Sequence, residues 1–256
     1  MRHLPPLDTH AHVALDIAPF ELEKLGAVVL IATRSLEEFA RVESRSDGAS
    51  VWGLGCHPGL VGAQRGFDPD KFASMLQSTP YVAEVGLDGA SRVPRDVQRA
   101  TFEAITRALE AAPRIVSIHS YRATRSVLET LRASRLRSGA VLHWWLGDPE
   151  ETREAVDLGC YFSVNFSMAR SPDVLRAIPR DRLLVETDHP SGDRFSPAPR
   201  RPGRVEPVET RIAKSLDIAP EDIREVVWTN FAALVDDTGV DRLLPLAVRK
   251  MIRSIS

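Results

Sequence analysis

Little in this chain offers a covalent or ionic scaffold. Two cysteines, Cys56 and Cys160, are too few for a disulfide framework and fit a reduced protein. No stretch approaches membrane-spanning length and no apolar run follows a basic start, so a cytoplasmic protein with no membrane partner is expected. Lysine is scarce, four residues against 29 arginines, and the net charge is only −2. That balance excludes the broad electropositive surface of a duplex-coating protein. Arginine is the better bidentate clamp for phosphate, so local phosphate recognition stays open beside the plainer account of composition bias and solvated surface. Linkers, internal repeats and low-complexity segments are missing too, which predicts one domain over residues 1–256.

What is present is a core and a rhythm. Hydrophobic residues make up 43% of the chain, enough to argue against disorder. Eight apolar or alternating runs of strand length recur at 7–13, 27–33, 51–57, 81–87, 115–120, 140–145, 160–166 and 183–188. Amphipathic stretches separate them, among them 95–112, 123–135 and 149–158. Strands alternating with helices predict parallel βαβ units, and eight repeats in this length predict a (β/α)8 TIM barrel. An open, doubly wound sheet is the alternative topology. Asp148-Pro149-Glu150-Glu151 reads as an N-cap, an N1 proline and an acidic first turn, and Ser171-Pro172-Asp173 reads in the same manner. The longest irregular stretch, 189–204, holds four prolines and four arginines, and a loop that long after the last strand is expected to be functional.

Six of the seven histidines, His10, His12, His57, His119, His143 and His189, fall at strand exits. Barrel enzymes place their sites at the C-terminal ends of strands. Those ends give His10 and His12 on the first strand, His57 on the third, Glu84 on the fourth, His119 on the fifth, His143 on the sixth and Asp188 on the eighth. In Asp8-Thr9-His10-Ala11-His12 the two imidazoles share a face by the period of two. Four histidines and two carboxylates exceed the needs of one ion and suit two, with Glu84, central in strand order, as the bridge. Such a centre is hydrolytic. Histidine with carboxylate accommodates zinc, manganese, iron or nickel, with magnesium less natural; zinc or manganese is favoured.

These residues carry a resemblance. The chain is similar over nearly its whole length to the TatD metal-dependent hydrolases of the amidohydrolase superfamily. The match runs through His10-Ala11-His12, Gly55-Cys56-His57-Pro58, Glu84-Val85-Gly86-Leu87-Asp88, Ile118-His119-Ser120, Val141-Leu142-His143-Trp144 and Leu184-Val185-Glu186-Thr187-Asp188. Gly86-Leu87-Asp88-Gly89, Ser117-Ile118-His119-Ser120 and 158–165 look closest to the TatD-like branch of Qat anti-phage defence clusters. The resemblance implies a TIM barrel with two divalent ions and nuclease or phosphoesterase activity, often from DNA 3′ ends. It implies that His10, His12 and Asp188 hold one ion, that His119 and His143 hold the other with Glu84 bridging, and that Asp188 accepts the proton of the nucleophilic water. Arg204-Val205-Glu206-Pro207 resembles a family motif near the substrate phosphate. Three places depart from the family: Gly59 where many relatives have histidine, Tyr121 with Arg122 one place later than the usual arginine, and His189-Pro190 without the usual aromatic. These positions touch substrate in the family.

The remaining candidates divide between substrate and support. His57 either contacts substrate or orients its loop. Glu186 shares the face of Asp188 and is a candidate support for a ligand, whereas Asp88 reads as a loop brace. Trp144 or Trp145, of which only one can face inward, stacks an unpaired base or packs between barrel and helices. Arg194, Arg200, Arg201 and Arg204 fence a phosphate path or simply meet solvent. The leading expectation is a metal-dependent phosphodiesterase acting on nucleic acid, most of all DNA, at single strands or ends rather than intact duplex. Its rivals are a metal-dependent amide, ester or small phosphoester hydrolase, and a subunit of a defence assembly whose catalysis depends on co-encoded partners.

Overall fold

In the computed structural model, which describes residues 4–255, eight parallel strands alternate with helices. The strands are β1 (Leu7–Ala11), β2 (Val28–Ala32), β3 (Ser50–Gly53), β4 (Tyr81–Gly86), β5 (Ile115–His119), β6 (Ala140–His143), β7 (Tyr161–Val164) and β8 (Leu183–Val185). Nearly every strand residue is buried, because helices cover the outer face and side chains fill the inner one. Ladders join β1 to β3 and β4 to β8. Isolated hydrogen bonds complete the circle. Leu54 N–H donates to the Tyr81 carbonyl at 3.1 Å and Ala83 N–H to that of Leu54 at 3.0 Å, which ties β3 to β4. Asp188 N–H donates to the His10 carbonyl at 2.8 Å, and Thr9 Oγ1 donates to the Val185 carbonyl at 2.8 Å, which ties β8 to β1. The sheet is therefore closed, not doubly wound.

Every strand ends at or before its expected limit, and β3 shows why. It stops at Gly53, so that the expected 54–57 lie beyond the ladder. Gly55 presses against the carbonyl of Thr33; a Cβ there would lie 1.8 Å from that oxygen. The chain then swings between its neighbours, with Cys56 N–H on the Glu84 carbonyl at 3.0 Å and His57 N–H on the Arg34 carbonyl at 2.9 Å. This swing carries His57 over the barrel mouth.

Helix Pro149–Asp157 starts as its sequence predicts: Asp148 Oδ1 accepts from Glu151 N–H at 2.8 Å while Glu151 Oε2 accepts from Asp148 N–H at 3.2 Å. Helix Pro172–Ala177 has proline at its start but no cap bond from Ser171, a correction to the expected likeness. Helices Arg95–Ala111 and Thr124–Ala133 bury Phe102, Ile105, Leu109, Val127, Leu128 and Leu131 against the barrel. No helix among the described residues is long and apolar enough to cross a membrane.

Candidate metal centre

The strand ends converge on one buried cluster. His10, fully buried, sets Nδ1 at 2.7 Å from Ser117 Oγ, and His12 Nδ1 lies 3.3 Å from the Ala32 carbonyl oxygen. With each Nδ1–H given to an acceptor, both Nε2 atoms present lone pairs. They face one another 3.4 Å apart, and Asp188 Oδ1 lies 3.8 Å from that of His12. Two lone pairs and a carboxylate brought together repel unless a positive charge joins them, so this donor set fits a cation.

Glu84, on β4 and 3% exposed, stands between two such groups. Its Oε1 is 2.6 Å from His119 Nδ1 and 2.9 Å from His143 Nε2. Its Oε2 faces the other way, 3.4 Å from His12 Nε2, 3.5 Å from His57 Nε2 and 3.9 Å from His10 Nε2. Three overlapping sets are spaced to hold an ion: His10, His12 and Asp188; His10, Glu84 and His143; His57, Glu84 and His119. The first is the expected set. The other two split His119 from His143 and bring in His57, which the expected ligand set left out. His57 Nδ1, however, accepts the N–H of Gly59 at 2.8 Å. Burial lowers its pKa and keeps the ring neutral, so its proton resides on Nε2. In that tautomer His57 is a donor toward the cavity rather than a ligand.

The charges are interlocked. Burial works against ionising Glu84, yet the Nε2–H of His57 directed at it and the imidazoles of His143 and His119 hold its carboxyl well below the usual range. Burial likewise opposes charging His143, and Glu84 and Glu186 reverse this, raising it well above the usual histidine value. His12 and His119 are raised against the same burial by Glu84, and His10 is lowered by burial and by His143. Burial, with Glu186 and Glu84 nearby, pushes Asp188 up to about 8. Shifts of this kind concentrated in one cavity mark a functional site.

Residues 7–236 match the family described as TatD related DNase. The chain belongs to that family. A Bacillus subtilis (strain 168) relative, described as the uncharacterized metal-dependent hydrolase YabD, is 30% identical over 254 residues, covering 87% of this chain and 96% of its own. Human deoxyribonuclease TATDN3 is 24% identical, covering 88% and 92%. The crystal structure of YjjV, a TatD homolog from Escherichia coli K12, shares the fold at a TM-score of 0.76 and 22% identity, over 89% of this chain and 96% of that one. This TatD-family chain is thus a metal-dependent hydrolase, and the cluster above gathers the side chains that could hold a metal ion.

Above the cluster lies a cavity of about 330 Å³ lined by His12, His57, Glu84, Tyr121, Trp144 and Arg194, among others. Of the two tryptophans, Trp145 is the buried one, its Nε1–H donating to Thr152 Oγ1 at 2.9 Å, and Trp144 turns into the cavity. Trp144 and Asp188 both hold φ at +42°, a strained left-handed backbone at the two residues that aim groups into the site. Three residues expected to face substrate lie outside this cavity. Arg122 borders a separate cleft with Arg95 and Arg99. His189 faces an adjoining cavity of about 570 Å³ that shares only His12 with the first, and its Nδ1 is 2.8 Å from Asp193 Oδ2. Arg204 donates to the carbonyls of Pro197 and Pro199, so it ties the loop together instead of reaching for phosphate.

Sequence reasoning overlooked Asp8 as a participant. Fully buried, it accepts from Thr187 N–H at 2.8 Å, Thr187 Oγ1–H at 2.6 Å and Gly203 N–H at 2.8 Å, fixing the segment that carries Asp188. Glu186, a candidate support, lies behind the cluster: its Oε1 accepts from Asn165 Nδ2 at 3.1 Å and Trp144 N–H at 3.2 Å and stands 3.7 Å from His143 Nδ1. Asp88 both braces its loop through Ala90 N–H at 2.8 Å and meets His119 Nε2 at 3.3 Å.

Proposed function

We propose that this TatD-family hydrolase cleaves phosphodiester bonds of DNA, at single strands or ends, with two divalent ions. The observation that carries this is the division of Glu84: its two oxygens face two separate groups of histidine nitrogens, as a bridging carboxylate would. His10, His12 and Asp188 would hold one ion; His119 and His143 would hold the other, with Glu84 between. Zinc or manganese suits so many imidazoles better than magnesium. Bound there, such ions supply Lewis acidity that lowers the pKa of water and neutralises charge on a phosphoryl group.

The chain's own groups do the rest. The Asp188 carboxylate accepts the proton of the attacking water. His57 donates its Nε2–H to an oxygen of the substrate, and Tyr121 and Trp144 line the nucleotide's path. The names of relatives such as human deoxyribonuclease TATDN3 support DNA as the substrate. The likeness of 86–89, 117–120 and 158–165 to the Qat branch supports work in anti-phage defence beside co-encoded proteins.

The test is a manganese- or zinc-reconstituted assay on end-labelled single- and double-stranded DNA, run beside a panel of esters and amides. Asp188→Asn and Glu84→Gln should each abolish cleavage while circular dichroism stays native. Full activity in either variant with metal content verified would remove this mechanism, and turnover of the ester panel alone would move the activity to the other bond class.

A further inference from the structure

Outside the metal cavity its wall continues as an ordered run of rings and guanidinium groups. Arg194, on the cavity rim, sets Cζ 5.8 Å from the centroid of the Trp144 ring and 4.9 Å from that of Phe195. Arg170 sets Cζ 4.8 Å from the same Phe195 ring. The contributors come from the loops after three successive strands: Trp144 after β6, Arg170 after β7, and Arg194 with Phe195 after β8. The order Trp144, Arg194, Phe195, Arg170 is invisible in the sequence and arises only when the barrel sets those loops side by side.

The run is set apart by its continuity with the metal cavity through Trp144 and Arg194, and two further features leave it open to a ligand. Phe195 is 55% exposed, although a ring of that size ordinarily gains by burial. Among the described residues, Arg170 and Arg194 form no ion pair, as the stacked Arg122 and Arg211 also form none, so two guanidinium charges beside one exposed ring are left open to a ligand. An exposed ring flanked by uncompensated cations suits a ligand that offers a flat face and a negative charge in every repeat.

We infer that Trp144, Arg194, Phe195 and Arg170 form a stacking track for unpaired bases of a nucleic-acid strand leaving the metal cavity. The inference rests on the nuclease reading and extends it. Bases lie on Phe195 and Trp144, while Arg194 and Arg170 meet the phosphates between them. Paired bases are already stacked and present no free face, so the track selects single strands over duplex. A protein partner is a poorer fit, because an apolar surface would leave both guanidinium groups unmatched.

Binding tests this apart from cleavage. Oligothymidylates carrying one 2-aminopurine at successive positions are titrated with the full chain bearing Asp188→Asn, in manganese, and fluorescence is followed. Quenching is expected at positions beyond the bound terminus. Phe195→Ala should abolish it there and weaken binding about ten-fold, while Phe195→Trp retains both. Arg170→Gln should lower the slope of log affinity against log salt by about one. Binding and quenching that survive Phe195→Ala overturn the track, as does the absence of oligonucleotide binding. A parent chain that cleaves no DNA yet shows quenching dependent on Phe195 would keep the track and retire the nuclease reading.

Discussion

At the scale of single residues, Gly59 explains itself through its neighbour. A Cβ at this position would lie 2.9 Å from His57 Cε1 and 3.1 Å from His57 Nδ1, so the ring of His57 occupies the space a side chain would need. The histidine that many relatives place here is therefore incompatible with this seat for His57. Gly59→Ala should displace the imidazole and lower kcat/KM on DNA about ten- to a hundred-fold, since small misplacements of a positioned group carry large penalties. His57→Ala and Gly59→Ala combined should cost little more than His57→Ala alone, because both remove the same donor. A double-mutant cycle on kcat/KM checks this; additive effects would show that Gly59 acts elsewhere. The candidate ligands were legible because imidazoles and carboxylates recur at strand exits, a pattern that needs no neighbours to be seen. His57 was legible as a site candidate but its role stayed open, since its tautomer depends on one backbone N–H two residues away. Asp8 was hidden for a related reason: its partners Thr187 and Gly203 are near it only once the barrel closes.

At the scale of elements, the two proline-led helices separate a cap signature from a cap. Asp148→Ala should destabilise the protein by about 1 kcal/mol, because it frees the Glu151 N–H and opens a reciprocal pair. Ser171→Ala should change stability by less than about 0.5 kcal/mol, since that hydroxyl makes no cap bond. Urea unfolding of the two variants measures the difference, and equal losses would contradict the assignment. Strand and helix order were readable from hydrophobic period, and the helix at 95–112 matched to within one residue. The five-residue helices Pro19–Glu23, Leu36–Ala40 and Val61–Arg65 were not read, because fewer than two turns give the period nothing to repeat on. The 189–204 loop was read as functional, but its four arginines divide by direction: Arg194 turns to the cavity, Arg204 and Arg200 bind loop carbonyls, and Arg201 reaches the Lys24 carbonyl. That division follows from loop geometry, which composition does not encode.

At the scale of the whole molecule, the barrel gathers its charges so that protons and cations compete for one place. His12, His119 and His143 are held above the usual histidine value and Asp188 near 8, so without metal these groups keep protons that balance Glu84 and Glu186. The sign of the consequence is fixed. Groups whose folded pKa is raised contribute stability that is complete below their unfolded values and is lost as pH rises through the folded ones. Glu84, held low, contributes the opposite limb, lost as pH falls below the usual carboxylate range. Metal-free protein should therefore lose thermal stability as pH rises, from about 3.8 to about 8 through Asp188 and from about 6.5 upward through the histidines. Bound ions replace those protons, so the loaded protein should hold its Tm over the same interval. The gain in Tm on adding manganese should accordingly be larger at pH 9 than at pH 6.5, and apparent affinity should rise at least about ten-fold per pH unit between 6 and 8, one factor of ten for each proton released. Calorimetry of chelated and reconstituted protein at the two pH values, with competition against a chelator, measures both. A Tm gain independent of pH would mean that the cluster holds no exchangeable protons, and that the interlocked charges of the barrel mouth serve the fold rather than the metal.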